Sequence, residues 1–196
     1  MAEVTPIHTT SAPGQDRPSR FGGAAPQRRK REKAASDYKK SLKEKQALKQ
    51  MYGLSERQFK RYVMEALERM QKVDNVSDEL VRRLERRLDN VVFRMGIAKS
   101  RPHARQLVSH AYFLVNGRPV NIPSFQVEKG TKVQLKANKQ KKPMIETLSQ
   151  EMKKHAAPSW IRLAKDVVAA EVVGDPSMAE ANPPVEISLI FEFYSR

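Results

Sequence analysis

From Leu54 onward, apolar residues recur every three or four positions. Phe59, Val63, Ala66, Leu67, Met70 and Val73 form one stripe, and Arg57, Lys60, Arg61, Glu65, Glu68 and Arg69 lie opposite. This spacing predicts an amphipathic helix. Its start is marked by Ser55 and Gln58 at capping-box spacing, with Leu54 and Phe59 placed for a hydrophobic staple. A second stripe, Leu80, Leu84, Leu88, Val91, Val92 and Met95, predicts a partner helix. Ser77 can cap it, Asp78 and Glu79 suit its positive N-terminus, and Gly96 can end it. A third helix is expected from Ser100, with Pro102 in its first turn and Ala104, Leu107, Val108 and Ala111 facing inward.

The period then changes. Tyr112 to Val115, the pair Asn116-Gly117 and Arg118 to Ile122 predict a two-residue β-hairpin, and Pro119 places its second strand at an edge or bulge. Gln126 to Glu128, a turn at Lys129-Gly130 and Lys132 to Lys136 suggest a second pair of strands. Ala137 to Pro143 is a basic connector, and a short helix is expected from Ile145 to His155. Near the end, Val185, Ile187, Leu189, Phe191 and Phe193 alternate with mostly polar neighbours, predicting a half-buried strand, although Ile190 breaks the pattern.

Composition and charge add the partner. The chain has 196 residues with 37 Lys and Arg against 22 Asp and Glu, a net charge of +15, which points to a polyanion. The absence of cysteine excludes disulfides, thiolate nucleophiles and Cys-ligated metals, and no stretch approaches the roughly 20 apolar residues a membrane helix needs. The first 35 or so residues, with Pro6, Pro13, Pro18 and Pro26 and few bulky apolar side chains, read as a disordered arm. Its prolines, with Glu3 and Asp16, argue against a transit peptide, and no apolar core of a secretory signal follows the start. From Gln27 to Lys49, ten cations face three acids, so this run is either a solvated helix or an arm lying on phosphates. Between residues 82 and 105, eight cations face only Glu85 and Asp89, whereas residues 166–196 are net acidic. The binding face is therefore expected in the first three-quarters of the chain.

Catalytic chemistry is not in evidence. There is no nucleophile elbow, phosphate loop, zinc-protease helix or dinucleotide glycine pattern. His103 and His110 lie two turns apart with no third ligand spaced to help, so a loop or phosphate contact is favoured over metal binding. Glu85 and Asp89, four apart among arginines, read as i,i+3 and i,i+4 ion-pair partners rather than an acid-base pair. No enzyme, no metal and no cofactor are expected, and no small-molecule substrate or membrane partner. An arginine face suits RNA through forked phosphate contacts and stacking on exposed bases. Among the aromatics, Phe113 reads as core, while Tyr52 is equally suited to the core or to stacking on a base.

The stretch LERRLDNVVFRMGIAKSRPHARQLVSHAYFLVNGRPVNIPS (residues 84–124) closely resembles the RNA-binding module that defines the bacterial small-subunit ribosomal protein S-four family. EKQALKQMYGLSERQFKRYV (44–63) resembles that family's N-terminal helical domain, PSWI (158–161) its tryptophan loop and IFEFYSR (190–196) its C-terminus. The fold class expected is α+β: an N-terminal α-helical domain plus a small α/β RNA-binding module with an antiparallel sheet, preceded by a disordered basic arm. The divisions are 1–37 for the arm, 38–83 for the helical domain, 84–150 for the module, and 151–196 for a C-terminal segment whose terminal strand packs back on the body.

The resemblance implies a primary binder of the 5′ domain of small-subunit rRNA that nucleates assembly and influences decoding accuracy through the neighbouring S-five protein, in a cytoplasmic or, alternatively, organellar ribosome. It implies rRNA contacts by Arg86, Arg87, Arg94, Lys99, Ser100, Arg101, Arg105, Gln106 and His110, with Asn116 and Gly117 at the hairpin turn and Arg57 and Arg61 on the helical domain. Arg83 of the arginine face, and Arg28, Arg29, Lys30 and Arg31 of the basic run, complete the candidate set. If Arg87 and Arg101 each touch phosphate, replacing both with Ala is expected to lower the salt slope of binding by about two. Two departures matter. Many relatives carry a four-cysteine zinc knot that this chain lacks, and Ala111-Tyr112 stands where relatives often have Gly-His. An RNA-modifying enzyme built on the same module would need a catalytic domain for which this length leaves no room. A regulator of its own messenger is a further alternative.

Overall fold

The computed structural model describes residues 37–140, 145, 150, 152, 155–164 and 168–195. The arm and its candidates Arg28, Arg29, Lys30 and Arg31 lie outside the described residues, as does most of the segment 145–155, of which Ile145, Gln150 and Met152 are helical.

Helix α1 (Asp37–Met51) is followed by α2 (Glu56–Glu68), a 3-10 turn (Met70–Lys72) and α3 (Val76–Glu85). The capping box forms as expected: Ser55 Oγ accepts from Gln58 N, and Gln58 Oε1 accepts from Ser55 N, both at 3.3 Å. Leu54 and Phe59 are buried beside it. At α3 the cap is Asn75 rather than Ser77, because Asn75 Oδ1 accepts from Ser77 N at 2.9 Å and leaves Ser77 inside the first turn.

The continuous helix expected through Met95 is divided in two, α3 and α4 (Leu88–Arg94). Arg87 is extended (φ −65°, ψ 137°), and the 123–127 loop pairs with the break. Leu88 N donates to Phe125 O at 2.9 Å, Asp89 N to Pro123 O at 3.1 Å, and Val127 N to Arg86 O at 2.8 Å. Loop carbonyls thus satisfy N–H groups that a helix start leaves without partners. Helix α5 (Arg101–Ser109) begins at Ser100, whose Oγ accepts from His103 N, with Pro102 tolerated in the first turn.

The sheet is five-stranded and antiparallel, in the order β2-β1-β3-β5-β4, with β1 Phe113–Val115, β2 Arg118–Val120, β3 Lys132–Leu135, β4 Ile161–Leu163 and β5 Ala169–Val172. The hairpin is as the sequence predicts. Asn116 and Gly117 have φ of 49° and 80°, and Pro119 lies on edge strand β2, where its missing N–H interrupts no second ladder. The second strand pair is not formed as expected. Gln126 makes an isolated bridge to Arg87, Val127 enters the core, and β3 instead pairs with β1 and β5. The loop's carbonyls and amides are already engaged at the α3–α4 break, which withdraws them from a ladder with β3.

A short helix α6 (Ala137–Gln140) opens the basic connector, and α7 (Met178–Ala181) precedes the last element. That element is helix α8 (Ile187–Ser195), where the alternating pattern predicts a strand. Ile187, Ile190, Phe191 and Tyr194 stand at positions i, i+3, i+4 and i+7, and they meet the apolar side of α1 and α2. Ile190, the residue out of step with alternation, is fully buried.

Two cores result. Leu48, Phe59, Val63, Leu80, Leu84 and Ile190 belong to the helical one, and Leu88, Val92, Leu107, Phe113, Val133 and Val172 to the one between α4, α5 and the sheet. The change from one to the other falls at Glu85–Arg87.

Candidate nucleic-acid interface

At that change of core the chain places two carboxylates and four arginines. Glu85 is 1% exposed. It accepts from Tyr52 Oη at 2.7 Å, from Asn90 Nδ2 at 2.6 Å, and from Arg94 Nε and Nη2 at 2.9 and 2.8 Å, and Arg101 lies 3.8 Å away. Asp89, also buried, takes a forked pair of bonds from Arg87 Nε (3.0 Å) and Nη2 (2.7 Å), and Arg105 donates to it from Nε and Nη2. Arg87 Nη1 donates to Tyr62 Oη at 2.8 Å, and Arg105 reaches the carbonyls of Tyr52 and Gly53. Tyr52 and Tyr62 come from the helical core, so this network joins the two cores.

The ion-pair reading of Glu85 and Asp89 holds, with a difference. Their main partners are not helix neighbours three or four residues away: Arg94 is nine residues from Glu85 and Arg105 sixteen from Asp89. The break between α3 and α4 turns both carboxylates inward, where arginines from α4 and α5 converge. Buried ions persist only when paired and hydrogen-bonded, and both carboxylates meet that condition.

The electrostatics follow. Burial, with the Glu85 carboxylate alongside, pushes the Tyr52 phenol far above its ordinary range, so it stays a donor. The hydrogen bonds it donates to Glu85 hold Arg94 above the usual arginine value. Burial works against the charge of Arg87, yet Asp89 and Tyr62 raise it overall. Arg101 is lowered by burial, and its guanidinium lies over the rings of both Tyr52 and Phe93, 4.8 and 4.7 Å from their centroids.

These contacts redistribute the candidate site. Arg87 is 3% exposed and does not face solvent, so the phosphate contact expected of it is corrected to a structural ion pair. Tyr52 is 2% exposed, which resolves its two readings in favour of the core. Arg94, Arg101 and Arg105 are partly buried, with their guanidiniums engaged on Glu85, Asn90 and Asp89. Asn116 uses its Oδ1 to accept from Lys132 N at 2.8 Å, tying the hairpin turn to β3. Arg57 and Arg61 on α2, and Lys99, Ser100, Gln106 and His110 around α5, are exposed. Arg83 and Arg86 are partly buried, Arg83 on Glu79 and Glu65 and Arg86 on Asp175.

The sequence reading missed Asn90, whose Nδ2 binds Glu85 and whose Oδ1 accepts from Arg101 Nε. The available signal was a polar side chain flanked by Leu88, Val91 and Val92. Lys60 and Arg118 are further exposed cations outside the candidate set. Among the described residues no cluster of three His or acidic side chains could hold a metal ion, and no helix is long and apolar enough to cross a membrane.

Comparison with known proteins places this arrangement. Residues 12–86 match the model of the ribosomal protein S4/S9 N-terminal domain, and residues 86–133 match that of the S4 domain. The chain is 43% identical over 161 residues to a protein of Persephonella marina named small ribosomal subunit protein uS4, covering 82% of this chain and 77% of that one. Proteins of the same name from Thermoanaerobacter sp. (strain X514) and Chloroflexus aurantiacus (strain J-10-fl) are 42% and 40% identical over 178 and 184 residues. They cover 91% and 92% of this chain and 84% and 85% of their own.

Proposed function

The chain belongs to the ribosomal protein S4 family, structural, non-enzymatic components of the small ribosomal subunit, and from that premise we propose that it is a primary rRNA-binding protein. It binds the 5′ domain of small-subunit rRNA, nucleates subunit assembly there and affects translational accuracy through the adjacent S-five protein, in the ribosome of a bacterial cytoplasm.

One observation supports this reading above the others: the acids within the arginine-rich stretch are turned inward. Glu85 and Asp89 are buried as anchors for arginines, so neither acid of the 82–105 stretch reaches the surface that carries exposed Lys99, Gln106 and His110, while on α2 exposed Arg57 and Lys60 share their surface with Glu56 and Glu68 and Arg61 pairs with Glu65. A mixed-sign solvated face would place the acids outside. Cations held on a packed scaffold suit folded RNA, whose backbone presents phosphate at irregular spacing. The basic 27–49 run, of which α1 forms the second half, extends the positive stretch toward the N-terminus.

Adding the full chain alone to naked small-subunit rRNA, followed by chemical protection mapping, tests the proposal. Protection confined to the 5′ domain is expected. Protection scattered over all domains, or none, would overturn it.

A further inference from the structure

Outside the Glu85–Asp89 network lies a second charged site, a cleft of about 450 Å³ between α2, α3 and the 124–128 loop. Its centre is Glu79, 5% exposed, which accepts from three guanidiniums: Arg83 Nε at 2.8 Å, Arg82 Nη1 at 3.2 Å and Arg69 Nη1 at 3.4 Å. Glu65 pairs with Arg83 and Arg61, and Glu128 contributes a third carboxylate to the wall. Arg86, one helical turn beyond Arg82, brings the guanidiniums to five. With Asp175 on Arg86, five cations meet four acids, and one carboxylate is shared among three arginines, so one positive charge is left uncompensated.

Two donors in this wall have no acceptor among the described residues. Arg82 Nε and Arg86 Nε are buried and make no hydrogen bond, although Arg82 Nη1 is engaged on Glu79 and Arg86 Nη2 on Asp175. A buried N–H without an acceptor is rare in folded proteins, and water or an anion satisfies it. Their spacing, i and i+4, stacks the two side chains on one helix face. Arginine's Nε edge is shaped to donate in parallel to two oxygens of a phosphate. The side chains of Arg61 and Arg69, 62% and 57% exposed, extend the positive field toward solvent. Glu79 and Glu65 hold several of these arginines in place beforehand, which reduces the ordering that binding would require.

We infer that this cleft is a seat for one phosphate of an RNA backbone, held by Arg82 and Arg86 after a small turn of each guanidinium. The RNA source of that phosphate rests on the rRNA-binding reading above; the anion chemistry does not. The test has two arms on the full-length chain. In the first, arginine Nε–H resonances are followed by NMR during titration with inorganic phosphate, with chloride at equal ionic strength as reference. Saturable shifts at Arg82 and Arg86 with phosphate alone are expected. In the second, R82Q/R86Q is compared with wild type for binding the isolated 5′ domain across a salt series, and the slope of log affinity against log salt is expected to fall by about one. R61Q/R69Q, at exposed positions, serves the same arm should the first variant fail to fold. No response to phosphate together with an unchanged slope overturns the seat. Phosphate shifts with an unchanged slope assign it to free phosphate and overturn its RNA role. Failure of the wild-type chain to prefer the 5′ domain over tRNA would defeat the rRNA reading, while the NMR arm would still decide the seat.

Discussion

Glu85→Gln is the perturbation that reaches furthest into this structure. The wild-type carboxylate accepts four hydrogen bonds from Tyr52, Asn90 and Arg94, between 2.6 and 2.9 Å, in a site 1% exposed. An amide keeps the shape but replaces one acceptor oxygen with a donor, which must face an existing donor. It also leaves Arg94 and Arg101 without their counter-charge. Removing one partner of a buried ion pair costs about 3–5 kcal/mol. Arg94 keeps 20% exposure, and water can compensate part of that loss, so the lower end, about 3 kcal/mol, is expected. For a chain of this size that corresponds to a fall in Tm of roughly 6–12 °C. Urea unfolding followed by fluorescence of buried Trp160 measures it, because that residue sits in the sheet-side core and reports on the side of the network away from Tyr52. Arg94→Met should cost clearly less in the Glu85→Gln background than in wild type, since the interaction it removes is already broken. A Glu85→Gln midpoint within about 0.5 kcal/mol of wild type, at unchanged m, would refute the view that this carboxylate joins the two cores.

Three further outcomes are expected. Burial favours the neutral form of Glu56, but hydrogen bonds from Lys45, Tyr194 and Lys49 outweigh it and hold the carboxyl down at about 2, against an ordinary 4.5. Its contribution to stability is therefore complete above pH 4.5 and disappears as pH falls toward 2, and Glu56→Gln should flatten the acid limb of a Tm-versus-pH curve over that interval. Gly96 and Gly117 have nearly the same φ, +79° and +80°, but a Cβ on Gly96 would lie 2.6 Å from the His155 side chain, whereas one on Gly117 meets nothing within 4 Å. Gly117→Ala should thus cost about 1–2 kcal/mol from backbone strain alone and Gly96→Ala more, as read from urea midpoints. Arg57→Gln with Lys60→Gln should lower the salt slope of 5′-domain binding by about two without loss of stability, whereas Arg87→Ala should lower urea stability and leave the slope per folded molecule unchanged.

The legible parts of this fold were those with local chemistry. The capping box at Ser55, the start of α5 at Ser100 and the Asn116-Gly117 hairpin each depend on residues a few positions apart, and each formed as read; the stripe of α2 holds as far as Leu67, but the helix ends at Glu68 and leaves Met70 exposed. The misread parts depend on distant partners. LERRLDN carries neither Gly nor Pro, and the helix breaks there because the 123–127 loop supplies hydrogen bonds from more than thirty residues away. At 185–193 two periods coexist in one apolar run, and the apolar surface of α1 and α2 selects the helical one. The candidate site divides in the same way. That the arginine stretch matters was plain from charge, but which arginines face outward depends on where Glu85 and Asp89 point. Arg87 and Arg101 are indistinguishable in sequence from surface cations until Tyr62 and Tyr52 are brought against them.

The central claim is that outward-facing cations on a scaffold whose Glu85 and Asp89 are buried give specific binding to one region of rRNA. Filter binding of the full chain to the isolated 5′ domain at two salt concentrations, with excess tRNA as competitor, tests it most directly. Tight binding that survives the competitor and weakens steeply with salt is the predicted result. Binding that tRNA abolishes at either salt concentration would contradict it, leaving a basic chain that adheres to any RNA.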